Sequence, residues 1–398
     1  MHELHYPPLL LEKTYDPSFA IRGLHFDLRR GILLKLTFLG DVVSGAAYLG
    51  RRSLDDAALE QIYPGWHIPQ AELQSHFKHY VEPGSLVDTC LVADIIHLFQ
   101  TTGRPYHPHY VHMDVSNAVA ATMREDIPHK LATTPETVLQ PKQVHDLLLA
   151  LRATGRRTFL LTNADFGHVD VVMRHLCRHQ MAEPERWPEA LFDIVICSAA
   201  RPGWFKSDVP FRSFNAASNK VRWLPVTELR SGNVYVGGSV TEFMRLVGGS
   251  YRDVLYTSAL PQVYSGDCYA DLSLPSTLGW RTGAIVAEVD REVESVGSAR
   301  YKTALVKLLD LERASTAEPH AQQDAAGQQD LLRQRDELKA VLNRHFGSAF
   351  RSLNGHTYFA HQLLRNTDIY MGKCEALRVV TDHFLRPLRR SMPHEPYV

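Results

Sequence analysis

The sequence predicts an α/β chain, on three observations. Short apolar strands bounded by charge or turn residues recur at Thr158–Thr162, Phe192–Cys197, Asp253–Tyr256 and Thr282–Ala287. Helical spacing separates the first two, with Val169, Val172, Met173 and Leu176 on one face. Apolar strands alternating with helices fit a parallel sheet covered on both faces. Finally, 398 residues exceed one typical domain, so a core with an elaboration is expected.

In chain order, residues 1–23 are proline-marked, and Asp16-Pro17 signals a turn. Leu24–Phe38 alternates around Gly31 as a hairpin does. Residues 40–75 read as mixed and loop-rich. Leu86–Phe99 is apolar enough for a buried helix, and Asp114–Met123 has a helical pattern. Lys142–Ala153 is clearer, because Val144, Leu147, Leu148 and Leu151 fall at helical spacing. The Ala/Gln/Asp-rich stretch 315–330 reads as a linker or frayed helix. Leu331–Phe346 reads as an amphipathic helix. The expected organisation is an N-terminal segment and hairpin (1–39), a mainly helical cap or insert (40–155), a core (156–300) and a helical extension (301–398).

Composition narrows the function classes. The chain is 44% apolar and 22% charged with a net charge of −1, which gives no argument for nucleic acid or an anionic membrane as partner. Homo-oligomer formation is left open. Five cysteines without paired spacing fit a reducing compartment and no structural zinc. No run reaches transmembrane length, and the start has no targeting pattern, so a cytoplasmic location is expected. The densest histidine cluster, His107, His109 and His112, reads as a solvated loop rather than a metal site.

Chemistry-bearing residues gather at strand ends. Thr162-Asn163 closes one strand before a helix. It is either a plain turn or, with free backbone N–H groups at the helix start, an anion site. Arg201 follows the next strand, either as a surface arginine or as a phosphate-neutralising cation. Gly266-Asp267, with Asp271 four residues on, either caps a helix or offers oxygen ligands to Mg2+.

In that order these residues match the later motifs of the haloacid dehalogenase (HAD) superfamily of phosphatases. The run Tyr15–Asp27 resembles the cytosolic purine 5'-nucleotidase family, especially its "5'-nucleotidase domain-containing" branch. So do Phe159–Asn163, Phe192–Ile196, Gly279–Ile285, Phe346–Arg351 and Thr357–Phe359. The resemblance spans about residues 10 to 395. It implies a HAD-like Rossmannoid sheet and Mg2+-dependent hydrolysis of nucleoside 5'-monophosphates, purine ones above all. In such enzymes an aspartate attacks phosphorus, and a second aspartate serves as acid and then base. Carried over by position, Thr162 and Asn163 would bind phosphate, and Arg201 would be the catalytic cation where this branch usually has Lys. Asp267 and Asp271 would be the metal ligands.

The resemblance also exposes departures. The family's Asp-x-Asp-x-Thr motif belongs on the first, central strand, before the position of Tyr15, and the expectation is that this strand is missing here. No Asp-x-Asp pair occurs anywhere in the 398 residues. Losing a nucleophile removes several orders of magnitude in rate, so the chain as written is expected to be inactive. Neighbouring strands would lose ladder partners, at about 1–3 kcal/mol per unpaired buried group. The fourth motif is disturbed as well. With Thr257–Gln262 treated as an insertion, Asp267 is the metal ligand; in an ungapped alignment, Ala259 takes that place and Asp267 becomes only the second acid. A non-catalytic module that binds nucleotide or protein is the alternative function.

Overall fold

A computed structural model describes residues 5–82, 84–133, 142–216, 218–258, 270–317, 325–352 and 355–378. Their contacts divide them into two compact units. The first holds the residues up to Ala120 and Val286–Arg365. The second holds Ala121–Ser258, residues 270–285 and those from Asn366 on.

The first unit is built on a five-stranded antiparallel sheet. The expected hairpin is β1 (Leu24–Asp27) and β2 (Ile32–Leu36), every residue of which is buried. Gly31 makes the turn at φ +76°, where a Cβ would be strained. Asp27 fixes that turn, accepting the backbone N–H groups of Arg29 and Arg30 and the Tyr63 hydroxyl.

Residues 40–75 are not loop-rich. They form β3 (Val42–Leu49), β4 (Arg52–Ser53) and the helices Asp56–Ile62 and Gln70–His76. Gly45 and Ser44 interrupt the apolar alternation of β3, so pairing with β2, rather than its own pattern, makes it a strand. β5 (Phe77–Tyr80) completes the sheet beside β1. The boundary expected at residue 39 therefore falls inside one sheet. Helix Ser85–Thr101 covers the core around Phe19, Leu24, Phe26 and Ile95. His107 precedes helix Pro108–Thr133, and His109 and His112 lie within it, because proline at a first helical position starts a helix where a loop was expected.

The second unit contains the parallel strands. The expected helix Lys142–Ala153 is present with those bounds. Then come β6 (Phe159–Leu161), helix Phe166–Cys177 and β7 (Ile194–Cys197). Next are β8 (Phe211–Asn215), β9 (Lys220–Pro225) and β10 (Asn233–Gly237). They lie where the sequence showed only an unassigned excursion. β6, β7 and β10 are parallel, and β8 and β9 extend the sheet antiparallel. Gly238, at φ +80°, lies against the Phe211 ring with no room for a Cβ.

A second sheet holds β11 (Leu255–Ser258) and β12 (Arg281–Ile285). The chain then returns to the first unit through helices Glu288–Gly297, Ala299–Ala317 and Ala325–Leu342. The last of these ends four residues before the expected Phe346, because Asn343 caps the turn by accepting from the N–H groups of His345 and Phe346. The two-residue strands β13 (Arg351–Ser352) and β14 (Gly355–His356) and helix Tyr358–Asn366 follow. Finally β15 (Ile369–Met371) joins β12 in the second unit, giving the all-parallel order β11-β12-β15.

The α/β expectation holds, but the parallel strands form two sheets instead of one. Among the described residues β6 ends the first sheet and β11 the second, each with one neighbour. The strand starts are pinned in the same way in both. Asp193 accepts the Thr158 N–H at 2.8 Å, and Asp368 accepts the Thr282 N–H at 2.8 Å. Aromatic rings knit the sheets together, with Trp280 5.9 Å from both Phe159 and Tyr256.

Candidate phosphate site at the strand ends

The carboxyl ends of β6, β7 and β11 meet in the second unit. Thr162 continues the β6 ladder, donating its N–H to Ile196 O at 2.9 Å and accepting from Ala199 N–H at 3.0 Å. Its hydroxyl accepts from Ala164 N–H at 3.2 Å. Asp165 then caps helix Phe166–Cys177 by accepting from His168 N–H at 2.9 Å. One of the free N–H groups expected for an anion is thus taken by the chain's own carboxylate.

Asn163 does something the sequence did not indicate. Its Nδ2 donates to Arg201 O at 3.0 Å, and its Oδ1 accepts from Arg201 N–H at 2.6 Å. This clamp fixes the loop after β7, in which Ser198 and Ala200 adopt positive φ of 47° and 57°. For residues with a Cβ such angles are costly, so the clamp and the buried Trp204 and Phe205 that follow hold the loop in place.

The loop delivers the Arg201 guanidinium to two partners. Nη1 donates to Asp271 Oδ2 at 2.6 Å and to the Tyr256 hydroxyl. Asp271 opens helix Ala270–Thr277 and is 2% exposed, while Arg201 is 10% exposed. Burial pushes the Asp271 carboxyl above its ordinary range, and the Arg201 charge opposes that shift. Burial likewise pushes the Tyr256 phenol up to about 12, so it stays neutral and can donate. Arg201 Nε and Asp271 Oδ1 are buried and have no partner among the described residues. An N–H donor and a carboxylate oxygen at one spot are therefore unsatisfied, which costs about 1–3 kcal/mol each unless a ligand or another segment meets them.

Of the five sequence-predicted residues, the structure brings Asn163, Arg201 and Asp271 together through direct bonds. Thr162 is next to Asn163 in the chain, with its hydroxyl turned to backbone. Asp267 lies outside the described residues. Tyr256 is the member that sequence reading missed; its only signal was a phenol ending the apolar run of β11.

A hard cation needs several oxygen ligands. Asp271 offers one free oxygen, and its other is paired with Arg201. No group of three or more acidic, histidine or cysteine side chains able to hold a metal occurs among the described residues. These residues alone do not constitute a Mg2+ site.

The four described cysteines are free thiols. Among the described residues no helix is long and apolar enough to cross a membrane.

Comparison with known proteins gives a consistent result. The model of the "5' nucleotidase family" matches residues 1–397. A 5'-nucleotidase domain-containing protein of Dictyostelium discoideum is 32% identical, with 99% of this chain and 67% of that protein aligned. The 5'-nucleotidase domain-containing protein 2 of Rattus norvegicus is 31% identical over 98% of this chain and 71% of its own length. The Homo sapiens protein of the same name is 31% identical over 98% of this chain and 76% of its own.

Proposed function

Since the chain belongs to the 5'-nucleotidase family, we propose that its strand-end site binds the phosphate of a nucleoside 5'-monophosphate and that these 398 residues alone do not hydrolyse it. The observation that carries this reading is the Asn163–Arg201–Asp271 linkage, with its unsatisfied Arg201 Nε and Asp271 Oδ1. A dianionic phosphate brings acceptors for a guanidinium, and charge-assisted bonds of this kind are about twice as strong as neutral ones. Asn163 positions Arg201 through the backbone, and Tyr256 holds the guanidinium from the side of β11.

Hydrolysis needs a carboxylate nucleophile and a second acid two residues on. No Asp-x-Asp pair is available, and Asp271 is engaged by Arg201. Among the described residues β6 and β11 each have a single neighbour, so a further parallel strand carrying that motif would find ladder partners beside them. Mg2+ belongs to this proposal as a charge-neutralising ion that Asp267 and Asp271 would hold. A cytoplasmic location and a preference for purine bases are part of it too, resting on the unpaired spacing of the cysteines and on the family resemblance.

The test combines binding and turnover. A panel of nucleoside monophosphates is titrated into the chain with and without Mg2+, and phosphate release is followed in parallel. Binding without release is the expected result. Phosphate release that Asp267→Asn abolishes would refute the inactive reading. No binding of any monophosphate would leave only the reading of a protein-binding module.

A further inference from the structure

The β8–β9 hairpin exposes cationic and apolar side chains together. From Val209 to Thr227 it contains Arg212, Lys220 and Arg222 and no acidic residue, in a chain whose net charge is −1. All three cations are exposed. All six residues of β9 are exposed, on a strand with a single neighbour among the described residues. Trp223 is 80% exposed, Leu224 56% and Val221 43%. Successive residues on a strand point to opposite faces, so along β9 Lys220 and Arg222 share one face and Val221 and Trp223 the other. Leaving such side chains in water forgoes about 1.5–3 kcal/mol for each one that a partner would bury fully.

Three occupants can be weighed against this surface. A second copy would bring Lys220 and Arg222 against their own counterparts. A single-stranded nucleic acid would use the cations and stack on Trp223, but it has no use for Val221 and Leu224. An acidic polypeptide with aliphatic residues between its carboxylates satisfies both sets of side chains. We propose that the β8–β9 hairpin is a docking surface for such an acidic, aliphatic-interleaved polypeptide segment. This proposal does not depend on the phosphate site.

The experiment uses the full chain and a fluorescein-labelled peptide of three Asp-Leu-Glu-Val repeats, read by fluorescence anisotropy. The control peptide has Lys at each acidic position. The acidic peptide is expected to bind at least about tenfold more tightly than the control, and to weaken as salt is raised. Trp223→Ser, at an exposed position that leaves the thermal melt unchanged, should weaken it by about tenfold. Lys220→Glu with Arg222→Glu should reverse the order of the two peptides. Equal binding of both peptides, or no effect of Trp223→Ser, overturns the proposal. Tighter binding of an oligouridylate than of the acidic peptide also overturns it. So does a concentration-dependent dimer in light scattering that Trp223→Ser abolishes, since a second copy would then be the occupant.

Discussion

Two arginine–aspartate pairs in this molecule, one part-buried and one almost fully buried, differ in a way that separates scaffold from site. In the first unit, Arg51 and Asp94 meet through two bonds of 2.8 Å, Nε to Oδ1 and Nη2 to Oδ2, and the guanidinium lies 4.0 Å over the Phe19 ring. Both faces of that pair are spent on structure. In the second unit, Arg201 reaches Asp271 with one nitrogen and leaves Nε and the facing Oδ1 without described partners. An open valence alone does not mark a site. Arg22 and Glu288 of the first unit also leave Nη1 and Oε2 unsatisfied around a 3.0 Å bond. What distinguishes Arg201 is its place on a loop clamped at the carboxyl ends of parallel strands, where open α/β sheets bind ligands.

That contrast can be broken by mutation, and the largest effects come first. Arg51→Met should cost about 1–3 kcal/mol by removing both bonds to the part-buried Asp94, read as a shift of the denaturation midpoint, with nucleotide binding unchanged. Arg201→Met paired with Asp271→Leu should be nearly neutral in stability, since removing both charges of a buried pair often is, yet it should abolish nucleotide binding. Equal stability losses in the two experiments would mean that Arg201–Asp271 is as structural as Arg51–Asp94.

Acid should separate the regions next. His25 and His79 stack at 4.0 Å inside the first unit, and burial lowers both; His25 falls from its ordinary 6.5 to about 3. Burial also lowers His112 to about 4. The folded chain therefore binds fewer protons than the unfolded chain over that range. Their contribution is fully present above pH 6.5. It is lost as pH falls toward the folded values, by about 1.4 kcal/mol per pH unit for each histidine. Calorimetry between pH 7 and 5 should show a falling Tm, and a flat profile would contradict the burial of these rings.

A smaller effect tests the site itself. Without Mg2+, Asp271→Asn frees Arg201 from a competing charge, so inorganic phosphate should bind several-fold more tightly, by about 1 kcal/mol. Tyr256→Phe should weaken it by a similar amount.

Much of this was legible in the sequence, and the gaps have physical causes. The periodic helix Lys142–Ala153 and the apolar strands β6, β7 and β12 announced themselves, because burial demands a regular pattern. β3 did not, since Gly45 and Ser44 interrupt its apolar face. β9, exposed on both faces, has no burial to impose a pattern. Asn163 and Arg201 were readable by their positions after strands. Their mutual clamp was not, because it depends on two backbone angles of positive φ. Tyr256 escaped notice because an aromatic in a strand reads as core. The histidines of 107–112 read as loop because a proline such as Pro108 marks a turn as readily as a first helical position.

The central claim is that Arg201 is a ligand-binding cation while Arg51 is a structural one. Isothermal titration of a purine nucleoside monophosphate into the native chain, Arg51→Lys and Arg201→Lys compares them directly. The account predicts native-like affinity for Arg51→Lys and a loss of at least about tenfold for Arg201→Lys, whose compact ammonium lacks the planar fork that here reaches Asp271 and Tyr256 with one nitrogen and leaves Nε for phosphate. Undiminished binding by Arg201→Lys and Arg201→Met alike would contradict it.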